Sequence, residues 1–160
     1  MYILGDIGNS ETKVFLVNSK NETIKNISFP SKQINNKILN SKFRFLVKDF
    51  KLVKKILFCS VVPKSFDLIK KFLLKKTKKK CYEVKDLKLR SLINIKVNYK
   101  QVGSDRLTNA ISLLNKKNNF IILDFGTATT FDVLIQKTYR GGIIAPGIKI
   151  SLNTLSDKAS

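Results

Sequence analysis

Two stretches of this sequence set an aspartate among small residues in the same order. Residues 2–17 read YILGDIGNSETKVFLV, and residues 121–135 read IILDFGTATTFDVLI. Each has an apolar run, an Asp, one residue, a Gly, small polar residues and a second apolar run. A carboxylate at a strand end, Asp6 or Asp124, can hold Mg²⁺ directly or through water. Gly8 and Gly126 lack Cβ, so the backbone can turn sharply and aim N–H groups at an anion. Asn9, Ser10, Thr127, Thr129 and Thr130 add side-chain donors at the same places. Two such turns facing each other would grip a polyphosphate and its metal. Phosphoryl transfer needs this, because its catalysis is mostly positioning and charge stabilisation. The competing reading is a pair of structural hairpins; the repetition with matching flanks favours phosphate. There is no GxxxxGK(S/T) P-loop and no GxGxxG dinucleotide turn.

A third candidate is GSDRLTNA, residues 103–110. Asp105 and Arg106 stand side by side at the expected start of a helix. The pair reads either as a helix-start anion beside a solvated Arg, or as a clamp for a carboxylate or phosphate. The residues alone leave both open. GGIIAPG, residues 141–147, offers a backbone with little bulk, suited to close ligand approach; the competing reading is a plain loop before a helix. Histidine is absent, so acid–base chemistry falls to carboxylates, Lys, Cys or Tyr. Cys59 and Cys81 have no CxxC spacing and read as reduced thiols.

The elements that must position these residues follow from periodicity. Strands are expected over 2–4 and 13–17, joined by a turn at Gly8, and over 24–29, closed by Pro30. Residues 34–50 suit a helix. KILFCSVV, residues 55–62, reads as a buried strand, and Pro63 fits the first turn of a helix to about Lys76. Residues 81–84 and 93–97 are short strands, 104–114 a helix, and 120–123 and 131–135 the strands of the second pattern. The fold class expected is α/β, with one lobe over residues 1–116 and the beginning of a second, incomplete lobe over 117–160. The apolar faces of that second lobe would lack most of their cover.

The formal net charge is +20, carried mostly by Lys, with Arg only at 44, 90, 106 and 140. The densest run, KKFLLKKTKKK at 70–80, sets apolar residues at helical spacing and reads as a packed helix with a solvated Lys face. A dedicated nucleic-acid partner is not expected, nor is a membrane span, since no run approaches about 18 apolar residues.

DIGNS, SVVP at 60–63, GSDR, and DFGTATTFD followed by YRGGIIAPG occur in an order that resembles the type III pantothenate kinases, the family related to the Bordetella accessory-factor proteins. The resemblance spans the whole chain. It implies the fold of acetate and sugar kinases, Hsp70 and actin, built from two ribonuclease-H-like lobes (an actin-like ATPase fold). It implies ATP-dependent phosphorylation of pantothenate to 4'-phosphopantothenate, the first step of coenzyme A biosynthesis, in a cytoplasmic homodimer using Mg²⁺ and a monovalent cation, K⁺ or NH₄⁺. By the same resemblance, Asp105 would be the general base, and Tyr99, Gly103 and Arg106 would bind pantothenate. Asp6, Gly8, Asn9 and Ser10 would form one phosphate turn, and Gly126, Thr127, Thr129 and Thr130 the other. Asp6, Asp124 and Asp132 would serve metal ions, Asp132 the monovalent one. Ser10 stands where the family usually has Thr, and the connection from Tyr99 to Gly103 is shorter than the usual proline-containing loop. The resemblance also makes this chain the N-terminal part of a longer kinase, inactive alone. The alternative is a non-catalytic regulator that binds nucleotide or nucleic acid on the same fold.

Overall fold

The computed structural model describes residues 1–115 and 117–158, without the side chains of Phe45 and Val47. They form two compact units, Met1–Leu87 and Lys88–Ser160. The expected lobe boundary at Lys116 falls outside the described residues, within the span of the second unit.

The first unit is a five-stranded sheet with helices. Its strands are β1 (Tyr2–Ile7), β2 (Glu11–Val17), β3 (Thr23–Pro30), β4 (Lys55–Ser60) and β5 (Cys81–Glu83), in the order β3-β2-β1-β4-β5. β1, β2 and β3 pair antiparallel, while β4 lies parallel to both β1 and β5. Alternation in β2 sends Thr12, Val14 and Leu16 inward and Glu11 and Lys13 outward. Helix α2 (Pro63–Thr77) returns the chain from β4 to β5, as a parallel pair demands. It begins on Pro63, whose missing N–H costs nothing there, and ends on Lys78 in the left-handed region at φ 58. Phe66, Ile69, Phe72 and Leu73 are buried, whereas Lys71, Lys75 and Lys76 face solvent. Phe43 ties the core together, with ring centroids 6.4 Å from Phe29 and 5.3 Å from Phe72.

The single helix expected over 34–50 is two elements. Helix α1 (Asn36–Lys42) is capped by Asn35, whose Oδ1 accepts the Ile38 N–H at 3.0 Å, and a 3-10 stretch, Arg44–Leu52, follows. The switch at Phe43 buries Phe43, Leu46 and Phe50 against the sheet, and Leu46 N donates to Phe43 O at 2.9 Å.

The second unit has a four-stranded sheet in the order β6-β9-β8-β7, from β6 (Asn94–Ile95), β7 (Asn119–Phe125), β8 (Ala128–Ile135) and β9 (Thr138–Pro146). Helix α3 (Ser104–Ser112) precedes β7, and α4 (Ile148–Lys158) follows β9. The expected strand at 93–97 is reduced to the two residues of β6. GGIIAPG is not a loop: all but its last residue belongs to β9, paired antiparallel with β8. β9 carries an extra residue, because Val133 pairs with Gly141 and Leu134 with Tyr139, leaving Arg140 over. Gly141 takes φ 97 at that bulge, a conformation that excludes ordinary side chains. One face of this sheet is apolar and open, with Ile121, Leu123, Phe125 and Ile143 exposed, and α4 buries no residue. Among the described residues no helix is long and apolar enough to cross a membrane.

Gly5 lies in register with Phe58 across β1 and β4, and a Cβ on Gly5 would stand 2.0 Å from the Phe58 ring. Phe58 is fully buried, so the ring has nowhere to retreat. Gly5→Val is expected to lower the unfolding free energy by about 1–3 kcal/mol, read from urea denaturation.

Candidate active site

The β1–β2 turn is closed by the Gly8 N–H, which donates to Glu11 O at 3.0 Å. Its outer residues, Asp6, Asn9 and Ser10, are exposed. It is held from below by Ser31, just after β3. The Ser31 hydroxyl donates to Gly8 O at 2.6 Å, and its N–H donates to Ser10 O at 3.0 Å. With its one proton committed, Ser31 Oγ accepts from Thr12 Oγ1 at 2.8 Å. Thr12 and Ser31 are both buried. A fixed backbone keeps the turn's outer face constant, which a phosphate-binding turn requires. Sequence reasoning missed Ser31, because nothing local marks a serine after a strand-ending proline as the support of a turn 23 residues earlier.

The β7–β8 turn is built differently. Gly126 N donates to Ala128 O at 3.0 Å, and Gly147 N donates to Thr127 O at 3.2 Å. A Cβ on Gly147 would meet the carbonyl oxygens of Gly126 and Thr127, each at 2.4 Å. The last glycine of GGIIAPG thus seats the DFGTATT turn and opens α4, its carbonyl accepting the Ser151 N–H at 2.9 Å. Thr127 is exposed and Thr129 buried. Asp124 pairs with Thr130 across the strands, and Asp132 lies two residues further along β8. The period of two therefore puts Asp124, Thr130 and Asp132 on one face. The Thr130 hydroxyl oxygen is buried there without a hydrogen-bond partner among the described residues.

α3 brings the acid–base candidate to that unit. Gly103 precedes the helix in extended conformation and supplies no side-chain cap. Half-buried Asp105 takes over, its Oδ1 accepting the Arg106 N–H at 2.8 Å. One turn on, Asn109 Nδ2 donates to Asp124 Oδ2 at 3.1 Å, joining α3 to the second Asp-x-Gly turn. The short connection before α3 is an Asn98 turn: Asn98 Oδ1 accepts the Lys100 N–H at 3.1 Å, and Asn98 O the Gln101 N–H at 3.0 Å. Tyr99 is half-buried, with the Arg90 guanidinium 5.6 Å from its ring centroid.

Arg106 points inward, only 8% exposed. Its Nε donates to both oxygens of Asp132, at 2.9 and 3.0 Å. Its Nη2 lies 2.6 Å from Asp132 Oδ1, too poorly aligned for a hydrogen bond, so that contact is a charge contact. Tyr139 Oη also donates to Asp132 Oδ1. The Arg106 guanidinium is held above its ordinary pKa, first by the hydrogen bond to Asp132. The Tyr139 phenol is pushed up too, first by burial and then by Asp132. Both remain protonated donors at neutral pH.

These contacts bear on the cations. Asp124 is exposed and beside hydroxyls, which fits a hydrated cation. Asp132, 1% exposed, has its oxygens taken by Arg106 and Tyr139, and does not fit one. Among the described residues no three Cys, Asp or Glu side chains converge as a metal cluster. The second unit thus holds Tyr99, Gly103, Asp105, Arg106, Asp124, Gly126, Thr127, Thr129, Thr130 and Asp132, while Asp6, Gly8, Asn9 and Ser10 belong to the first. Asn109 and Tyr139 join the set unannounced by sequence. Gly147→Ala is expected to displace the 126–128 turn and lower stability by about 1–3 kcal/mol. Backbone NMR shifts confined to the second unit, with the Gly8 turn unmoved, would confirm it.

Comparison with known proteins identifies the family and the fold. The sequence model of the type III pantothenate kinase family matches residues 2–160. The type III pantothenate kinase of Pelagibacter ubique is 62% identical over 160 residues, covering all of this chain and 64% of that protein. That of a Sulfurihydrogenibium species is 34% identical, covering all of this chain and 66% of its own length. The chain therefore spans about two thirds of the length of these two relatives. Two solved structures share its fold. One, a Campylobacter jejuni protein described as a Baf family transcriptional activator, is 21% identical with a TM-score of 0.54, covering 97% of this chain and 59% of that one. The other, described as a 2-dehydro-3-deoxygalactonokinase from Sinorhizobium meliloti, is 9% identical with a TM-score of 0.57, covering 99% of this chain and 58% of that one. The mixed α/β, actin-like fold implied by the motifs is borne out. Motif order, fold and a match over nearly every residue lead to one assignment: the chain belongs to the type III pantothenate kinase family.

Proposed function

We propose that this chain carries the phosphate turns and the catalytic carboxylate of an enzyme that moves the γ-phosphoryl of ATP to the primary hydroxyl of pantothenate, giving 4'-phosphopantothenate and ADP. The observation that supports this most is the placement of Asp105. Its carboxylate stands half-buried at the first turn of α3, and the same helix is joined through Asn109 to Asp124. One rigid element thus holds a proton acceptor and the second phosphate turn.

In this reading the Asp105 carboxylate accepts the hydroxyl proton as the oxygen attacks phosphorus. The Arg106 N–H keeps that carboxylate aimed. Gly126 and Thr127 present backbone and hydroxyl donors to phosphate oxygens, as Gly8, Asn9 and Ser10 do in the first unit. Asp6 in the first unit and Asp124 in the second are each a carboxylate for a cation, Mg²⁺ or the monovalent ion, which when bound would neutralise charge on phosphate. Asp124 is preferred to Asp132 for both ions, because Asp132 is occupied. Tyr99 and Gly103 border the pantothenate, and Arg106 reaches it only with the part of its guanidinium that Asp132 leaves over. A homodimer in the cytoplasm completes the proposal, on family membership.

Because the chain spans 64% of the Pelagibacter relative, the test joins residues 1–160 to the C-terminal remainder of that relative. The joined protein is expected to release ADP only when pantothenate is present. Asp105→Asn is expected to lower kcat by about 10²–10⁴ with ATP binding kept. A joined protein that binds ATP but releases no ADP in response to pantothenate, or an Asp105→Asn form with full kcat, would refute the reading.

A further inference from the structure

The motifs account for Asp105 and Arg106 without saying what holds them in place. The answer lies on β8 and β9. Tyr139 is fully buried, and its hydroxyl donates to Asp132, itself 1% exposed. Asp132 accepts from Arg106 Nε with both oxygens, at 2.9 and 3.0 Å. The Arg106 backbone N–H then donates to Asp105 Oδ1 at 2.8 Å. Four residues form one line from the β9 strand to the carboxylate at the head of α3.

Gly142 makes the line possible. It pairs with Asp132 across β8 and β9, and a Cβ there would lie 2.8 Å from Arg106 Nη2 and 1.9 Å from Phe131 O. The guanidinium therefore rests directly on the β9 backbone. Tyr139 closes the other side of Asp132, at the bulge where Arg140 is left unpaired. The bulge sets this geometry, since Tyr139 rather than Arg140 falls opposite Leu134.

We propose that Tyr139 is a positioning residue for Asp105, acting through Asp132 and Arg106. The proposal rests on the reading of Asp105 as the proton acceptor. Removing the phenolic hydroxyl leaves a buried carboxylate short of a donor, and water cannot reach it. Asp132 then satisfies itself by drawing on Arg106, and the first turn of α3 turns with the arginine. A tyrosine that merely filled the core would leave Arg106 and Asp105 unchanged when replaced by phenylalanine, because the ring survives.

The test uses NMR of the isotope-labelled 160-residue chain without ATP or pantothenate. In Tyr139→Phe, Asp132 leans on Arg106 alone, so hydrogen exchange at Arg106 Nε is expected to slow by about tenfold, the effect of a strengthened hydrogen bond to a charged group. The ¹³C signal of the Asp105 carboxyl is expected to shift with it, while signals from residues 1–87 hold. A folded Tyr139→Phe chain with unchanged Arg106 and Asp105 signals overturns the proposal. If that variant does not fold, the unmodified chain decides: a Tyr139 hydroxyl proton protected from solvent exchange supports the line, and its absence overturns it. Loss of pantothenate-dependent ADP release from the joined protein would instead count against Asp105 as the base, leaving the coupling intact.

Discussion

The buried ion pair between Arg106 and Asp132 is the contact on which the second unit is arranged. It fastens α3 to β8, and through α3 it fixes Asp105 and Asn109. Such a pair is costly to form, because both charges leave water. It holds only if geometry is good and the other lone pairs are satisfied. Here Nε bonds both carboxylate oxygens, Tyr139 supplies a further donor, and Gly142 leaves room for the guanidinium. Each partner comes from a different place in the sequence, so the pair forms only when helix, sheet and bulge are all in place.

The two Asp-x-Gly turns look alike in sequence but are stiffened in different ways. The first rests on a buried hydroxyl chain, Thr12 to Ser31 to the Gly8 carbonyl. The second rests on the close approach of one backbone to another, with Gly147 against Gly126 and Thr127. Hydroxyls suit the first turn because β3 runs beside β2 and delivers Ser31. Glycine suits the second because β9 ends beside the turn and α4 starts there. Both arrangements remove local freedom at the turn, which would lower the ordering cost of any ligand bound there.

Much of the fold was legible in the sequence. β2, β4, α2 and the paired strands of the second pattern carry strong periodicity or a clear proline start, and they form where expected. Residues 34–50 were misread because their spacing fits both helix types, and only burial of Phe43, Leu46 and Phe50 against the sheet decides between them. The strand character of GGIIAPG is hidden because its glycines look like breakers; pairing with β8 and a bulge at Gly141 make it a strand. Asp105, Arg106 and Asp124 were visible from their motifs. Ser31, Asn109 and Tyr139 were not, because what matters about them is a contact made across the fold; Gly142 lies in a stretch marked for close approach, and the group that approaches it is Arg106. Asp132 was read as a cation ligand from its place in the motif, and its burial against Arg106 and Tyr139 appears only in three dimensions.

The most direct measurement of the central pair is a double-mutant cycle, with Arg106→Met, Asp132→Leu and both together, read by urea unfolding of the 160-residue chain. Each single change should cost about 3–5 kcal/mol, because it leaves the other charge buried and alone. The double change should cost far less than their sum. Single changes that cost almost nothing, or a double change equal to the sum, would contradict the account.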